Sequence, residues 1–186
     1  MAIVINGSGT VTGLAVGGLP DGTVDSGTLA TDSVTSAKLE ASAITAGDLP
    51  AGSVLQVLIV EDSSQMAVAT TTYTDTNLSL SITPSSTSSK ILAMWNVQGN
   101  LSAASAGWGT RLVRGSTNVF TSASQYSNYV GSYTSQRHSA DYKHLDSPNT
   151  TSAITYKVQV STFNAANVDF NDANNQTQLV LMEIAG

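Results

Sequence analysis

The sequence predicts an all-β protein, with an extended N-terminal repeat segment leading into a β-sandwich of jelly-roll type. Three observations predict it. Charged residues make up only 11% of the chain while Ser and Thr supply about a quarter, a composition poor in the residues that build helices. Apolar residues stand five apart over the first third of the chain. From Ser53 onward the texture changes to alternation with period two.

The 186 residues, 19.1 kDa in mass, suit one ordinary domain plus a short appendage. Abundant β-branched residues argue against a disordered chain. Cysteine is absent, which removes disulfides, zinc–thiolate clusters and thiol chemistry. The net charge is −6 and the seven Lys and Arg are thinly spread, so the basic stripe that nucleic-acid binding needs is missing. No apolar run approaches the ~20 residues that cross a bilayer. Met1 to Ile5 is apolar but lacks a basic flank, so no signal peptide is expected, and export would follow a route other than classical secretion.

The pentad row comprises Leu14, Leu19, Val24, Leu29, Val34, Leu39, Ile44, Leu49 and Val54, separated mostly by Gly, Ala, Ser, Thr and Asp. A longer echo repeats Gly18-Leu19-Pro20-Asp21-Gly22-Thr23-Val24 as Asp48-Leu49-Pro50-Ala51-Gly52-Ser53-Val54. A period of five is neither that of a helix nor that of a flat strand. One large apolar residue in five buries too little area within one chain to offset the entropy of ordering it. A square solenoid would have barely two coils, where three or more repeats are usual. A flexible linker would share the composition but not the unbroken register. Several copies wrapped about a common axis, each sending its Leu or Val inward, fit better.

The strands follow in order. Val54 to Val60 reads as buried. Leu78, Leu80 and Ile82 alternate with Ser and Thr and stop at Pro84. Lys90 to Val97 has the apolar content of a central strand, with Trp95 in the core. Arg111 to Arg114 is a short strand closed by Gly115-Ser116. Ile154, Tyr156, Val158 and Val160 share one face, and Leu179 to Ile184 forms the last strand. Short strands between Gly, Pro, Asn and Ser turns indicate a sandwich or jelly roll. Residues 99–146 are the least regular stretch.

Several motifs resemble bacteriophage tail-fibre and related virion fibre proteins. Asp32-Ser33-Val34-Thr35-Ser36-Ala37-Lys38-Leu39, with Ile44-Thr45 beyond it, is similar to their repeat decads. Ser81-Ile82-Thr83-Pro84-Ser85-Ser86, Arg111-Leu112-Val113-Arg114-Gly115-Ser116, Leu145-Asp146-Ser147-Pro148-Asn149-Thr150 and Leu181-Met182-Glu183-Ile184-Ala185 resemble the β-domain attached to such repeats, particularly in phages of cyanobacteria and marine hosts. Ile5-Asn6-Gly7-Ser8-Gly9-Thr10-Val11-Thr12-Gly13 is similar to fibre N-termini. The resemblance implies a homotrimer on the virion surface. Residues 1–18 would attach to another virion protein, of tail or capsid, residues 19–52 would form the stalk, and residues 53–186 would form the knob.

No catalytic constellation is expected. His138 and His144 lack a metal-ligand spacing and read as polar loop residues. No G-x-S-x-G elbow is present. Asp169, Asn171, Asp172, Asn174 and Asn175 lack regular calcium-loop spacing and read as a polar turn. Asp141, Asp146, Asp169, Asp172 and Glu183 are the carboxylates a glycosidase would draw on, but Glu183 is expected to point outward. No cofactor or metal is implied. Tyr126, Tyr129, Tyr133 and Tyr142 cluster in the irregular stretch near Trp108, Arg137 and His138. Aromatic faces with polar neighbours suit recognition of a host-surface glycan or protein. Trp108, Tyr126, Tyr129, Tyr133 and Arg137 are the candidate binding residues.

Overall fold

A computed structural model describes residues 4–5, 11–12, 29, 31–40, 43–122, 127–132 and 135–186. Leu14, Leu19, Val24, Tyr126 and Tyr133 lie outside the described residues, as does most of the expected attachment segment. Two compact units are present, residues 1–45 and 46–186.

In the first unit β1 (Val4–Ile5) pairs antiparallel with β2 (Val11–Thr12). Further along, a 3-10 turn spans Ser36–Lys38, with the Lys38 N–H donating to Thr35 O at 2.9 Å. A similar turn, Ala46–Asp48, recurs ten residues later at the start of the second unit. Leu29, Val34, Leu39, Ile44, Leu49 and Val54 are all exposed, between 39% and 55%. A single chain therefore leaves every described member of the pentad row in water.

The second unit carries eleven strands: β3 (Val54–Asp62), β4 (Met66–Val68), β5 (Thr74–Ile82), β6 (Lys90–Leu101), β7 (Ala106–Arg114), β8 (Thr117–Thr121), β9 (Asn128–Val130), β10 (Gln136–Asp146), β11 (Ile154–Thr162), β12 (Val168–Phe170) and β13 (Thr177–Ile184). They form two antiparallel sheets. In the six-stranded sheet, β10 runs along one side of β6. On the other side β13 and then β12 pair with β6, and they carry β3 and β4 respectively. The five-stranded sheet has the order β5-β11-β7-β8, with β9 also on β7. The pairing is all-β and consistent with the expected sandwich.

One apolar core joins the sheets. Ile91, Ala93, Trp95 and Val97 of β6 and Leu179 and Leu181 of β13 meet Leu78 and Ile82 of β5, Trp108 and Leu112 of β7, and Tyr156, Val158 and Val160 of β11. Gly99 makes one close approach possible. A Cβ there would stand 2.8 Å from Trp108 Nε1 and 2.9 Å from Val168 Cγ1. Gly115, with φ +58°, turns the β7–β8 hairpin in a region glycine enters without strain.

The stretch expected to be irregular holds β7, β8, β9 and the eleven-residue β10. Its pattern is hard to see because β10 is an edge strand. Arg137, Ser139, Asp141 and Lys143 face out, while the inward positions include His138, Ala140, Tyr142 and His144. Few of these are aliphatic, so hydropathy alternates weakly. The two histidines are accordingly half-buried strand residues, not loop residues. Asn171 and Asn174 are left-handed, with φ of 55° and 59°, and the Asp172–Asn174 segment is a turn, as expected.

Candidate interaction surfaces

The three described members of the expected recognition set, Trp108, Tyr129 and Arg137, do not converge. Trp108 is fully buried, its ring 5.7 Å from Phe170 in an edge-on contact. The expectation for Trp108 is thus corrected: a ring sealed between the sheets offers no face to a ligand. Its neighbours Ala106, Gly107 and Gly109 concealed this, because small residues beside a Trp read as loop. Tyr129 on β9 is exposed and meets Phe163 edge-on, with centroids 5.5 Å apart. Arg137 is on the other sheet, where its Nε and Nη2 donate to Asp172 Oδ2 at 3.0 and 2.6 Å. Asn100 Nδ2 donates to the same oxygen at 2.9 Å. Tyr142 turns inward and stacks on Trp95 at 5.5 Å. Burial pushes its phenol above the usual tyrosine range, against hydrogen bonds with Ser127 and Ser122.

Two buried carboxylates serve as anchors. Asp146 at the end of β10 accepts from the Tyr156 hydroxyl at 2.6 Å and from Arg114 Nη1 at 2.9 and 2.7 Å. These contacts tie the six-stranded sheet to β7 and β11. Burial, followed by the Asp146 hydrogen bond, raises the Tyr156 phenol far above its ordinary value. Glu183 is 1% exposed, contrary to the outward orientation expected. It continues the inward series of Leu179 and Leu181 on β13. Its Oε1 accepts from the Ser85 N–H at 2.7 Å and the Ser85 hydroxyl at 2.6 Å, and its Oε2 from Gln56 Nε2 at 2.6 Å. Burial raises this carboxyl, but those donors outweigh it and hold it below the ordinary value. Among the described residues no group of three or more His, Cys, Asp or Glu is placed to hold a metal ion. No helix among them is long and apolar enough to cross a membrane.

The outer faces of the two sheets differ. On the five-stranded sheet, Lys157 Nζ bonds Asp75 at 2.9 Å, Gln159 bonds both Asp75 and Arg111, and Ser81 bonds Thr155 at 2.7 Å. This is the solvated face expected of an antiparallel sheet. The six-stranded sheet is apolar outside. Val57, Met182, Leu92 and Leu145 lie side by side across four strands, and Ile59, Val180, Met94 and Lys143 form the next row. Glu61, Gln178, Asn96 and Asp141 close the patch. Gln178 Nε2 and Gln176 Nε2 donate to Glu61 at 2.7 and 2.8 Å. At this polar end lies an open depression of about 470 Å³, lined by Met94, Asn96, Asp141, Lys143, Gln178 and Val180 among others. Apolar alternation on both faces of β3, β6 and β13 is legible in the sequence as continuous hydrophobic runs.

No family model and no curated protein matches the chain. Among solved structures it is similar to a chain of the T13 IBDV viral particle, at 11% identity and a TM-score of 0.44, over 71% of this chain and 38% of that one. A chain of the infectious bursal disease virus Gx strain matches at 12% identity and a TM-score of 0.43, over 70% and 37%. Dimeric latent PorU from Porphyromonas gingivalis matches at 10% and 0.32, over 76% and 14%. The chain thus spans well under half the length of each. Likenesses this distant carry no functional argument.

Proposed function

We propose that the chain is a non-enzymatic structural protein of a bacteriophage particle, a short homotrimeric fibre on the virion surface. Residues 1–18 attach it to another virion protein, residues 19–52 form the stalk, and a jelly-roll-like knob of residues 53–186 meets a glycan or protein of the host surface. Neither nucleic-acid binding nor membrane insertion is part of this reading. One observation carries it: Leu29, Val34, Leu39, Ile44, Leu49 and Val54 are all exposed in the single chain. Fully burying such a side chain stabilises by about 1.5–3 kcal/mol. Six regularly placed residues in each of three copies make a cooperative reason to assemble, and three knobs raise weak contacts to useful avidity. Light scattering of the full chain tests the assembly. A trimer is expected, and a well-ordered monomer at micromolar concentration would end the proposal.

A second reading, a capsid decoration or head-fibre protein without primary receptor binding, is favoured by one observation. Trp108 is buried and Arg137 is held by Asp172, so two of the five expected recognition residues are already engaged. Adsorption of purified protein to host cells separates the readings, since a decoration protein shows none. Imaging the intact particle with a labelled chain then shows whether it sits on tail or capsid.

A further inference from the structure

We propose that the outer face of the six-stranded sheet is a self-interface, covered by a second copy of this chain. This rests on the fibre reading and deepens it, by extending the assembly surface from the pentad row onto the knob. The face carries Val57, Leu92, Leu145, Met182, Ile59, Val180 and Met94 where a one-sided antiparallel sheet would carry polar groups. Val57, Ile59 and Leu145 are each more than half exposed.

Two features select a sister copy as the occupant. The first is continuity. Val54 is both the last pentad residue and the first residue of β3, where it pairs with Ile184 at the head of the same face. Copies that meet at Leu49 and Val54, the two pentad residues of this second unit, would meet along β3. The second is area. With strands ~4.8 Å apart and same-face residues ~7 Å apart, the patch covers roughly 300 Å². A patch of that size is no larger than the largest apolar patch on an ordinary monomer and falls short of the ~800 Å² per partner in a stable complex. A foreign partner would need surface from elsewhere, whereas a sister copy brings its own pentad row. The depression beside Lys143 then receives side chains of the neighbouring copy.

The test uses the full chain and sedimentation across a concentration series. Ile59→Asp and Leu145→Asp, at opposite edges of the patch, are expected to raise the dissociation concentration at least tenfold while the circular dichroism of the dissociated chain stays unchanged. A multimer whose dissociation stays within twofold of the parent overturns the inference and leaves the fibre reading standing. A parent chain monomeric throughout overturns both. As the chain has no cysteine, Ile59→Cys gives a readout without added charge. Maleimide labelling is expected to be slow in the multimer and fast on dilution, and equally fast labelling in both overturns the inference.

Discussion

Ser85 donates both its backbone N–H, at 2.7 Å, and its hydroxyl, at 2.6 Å, to a single oxygen of Glu183. The turn after Pro84 is thereby fastened to the last strand by a buried carboxylate. Removing the acceptor leaves the Ser85 N–H and the Gln56 amide without it. Glu183→Ala is therefore expected to cost about 2–4 kcal/mol, and Glu183→Gln, which keeps one carbonyl acceptor, about half that. Urea denaturation of the two variants beside the parent chain checks the order.

The same carboxylate gives stability a pH dependence of definite sign. Its folded-state value lies below its ordinary value near 4.5. Asp75, bonded first by Lys157 and then by Gln159, is also held below its ordinary value. A lowered carboxylate binds fewer protons folded than unfolded, so its contribution is complete above the ordinary value and fades as pH falls through the folded one. Thermal melts are expected to be insensitive to these groups from pH 6 to 8 and to fall as acid is added below about pH 4.5. Glu183→Gln should flatten that fall.

Gly99 is occupied on both sides of its strand, by Phe170 and by His138. The space above its Cα belongs to the Trp108 ring and Val168. Gly99→Ala forces one of them to shift and is expected to cost about 1–3 kcal/mol. Tryptophan fluorescence during unfolding, to which Trp95 and Trp108 both contribute, would report the lower midpoint.

Leu39→Ser and Ile44→Ser separate the lone chain from the assembled one. Both residues are exposed in the single chain, where surface substitutions stay within about 0.5 kcal/mol. Within an assembled stalk each would remove a buried side chain from every copy. The knob's melting at monomeric dilution is expected to be unchanged, while the dissociation concentration rises at least tenfold. Unchanged dissociation in sedimentation would show that these side chains bury nothing.

Much of the fold was legible because its central strands are apolar. β6, β11 and β13 were readable from Lys90–Val97, Ile154–Val160 and Leu179–Ile184, since buried strands repeat Val, Ile and Leu; β3 was legible as a strand from Val54–Val60, but it is an edge strand with Val54, Val57 and Ile59 exposed, not the buried strand that run suggests. β10 was not readable, because its inward side chains include two histidines and a tyrosine while Leu145 faces out among Arg137, Ser139, Asp141 and Lys143. β4, β9 and β12, with three residues each, are shorter than any period can register. Glu183 was misassigned because its charge outweighed its phase with Leu179 and Leu181, and only the distant Ser85 and Gln56 justify burying it. Trp108, Tyr129 and Arg137, the described members of the recognition set, are apart for a related reason. Closeness in sequence among Trp108, Tyr129 and Arg137 says nothing of which sheet or face each occupies. The pentad row was readable throughout, because spacing alone carries it.

The partner of β3 is β13, and Gln56 and Glu183 are 127 residues apart. A nascent chain leaving the ribosome therefore exposes its repeat before its knob, while β3 waits until β13 has emerged before it can be zipped in. Long-range closure of this kind is slow, and the sticky leading segment is in solution throughout the delay. Chains made close together on one message would find each other during that interval, so translation order itself would favour assembly among siblings over a search through the cell.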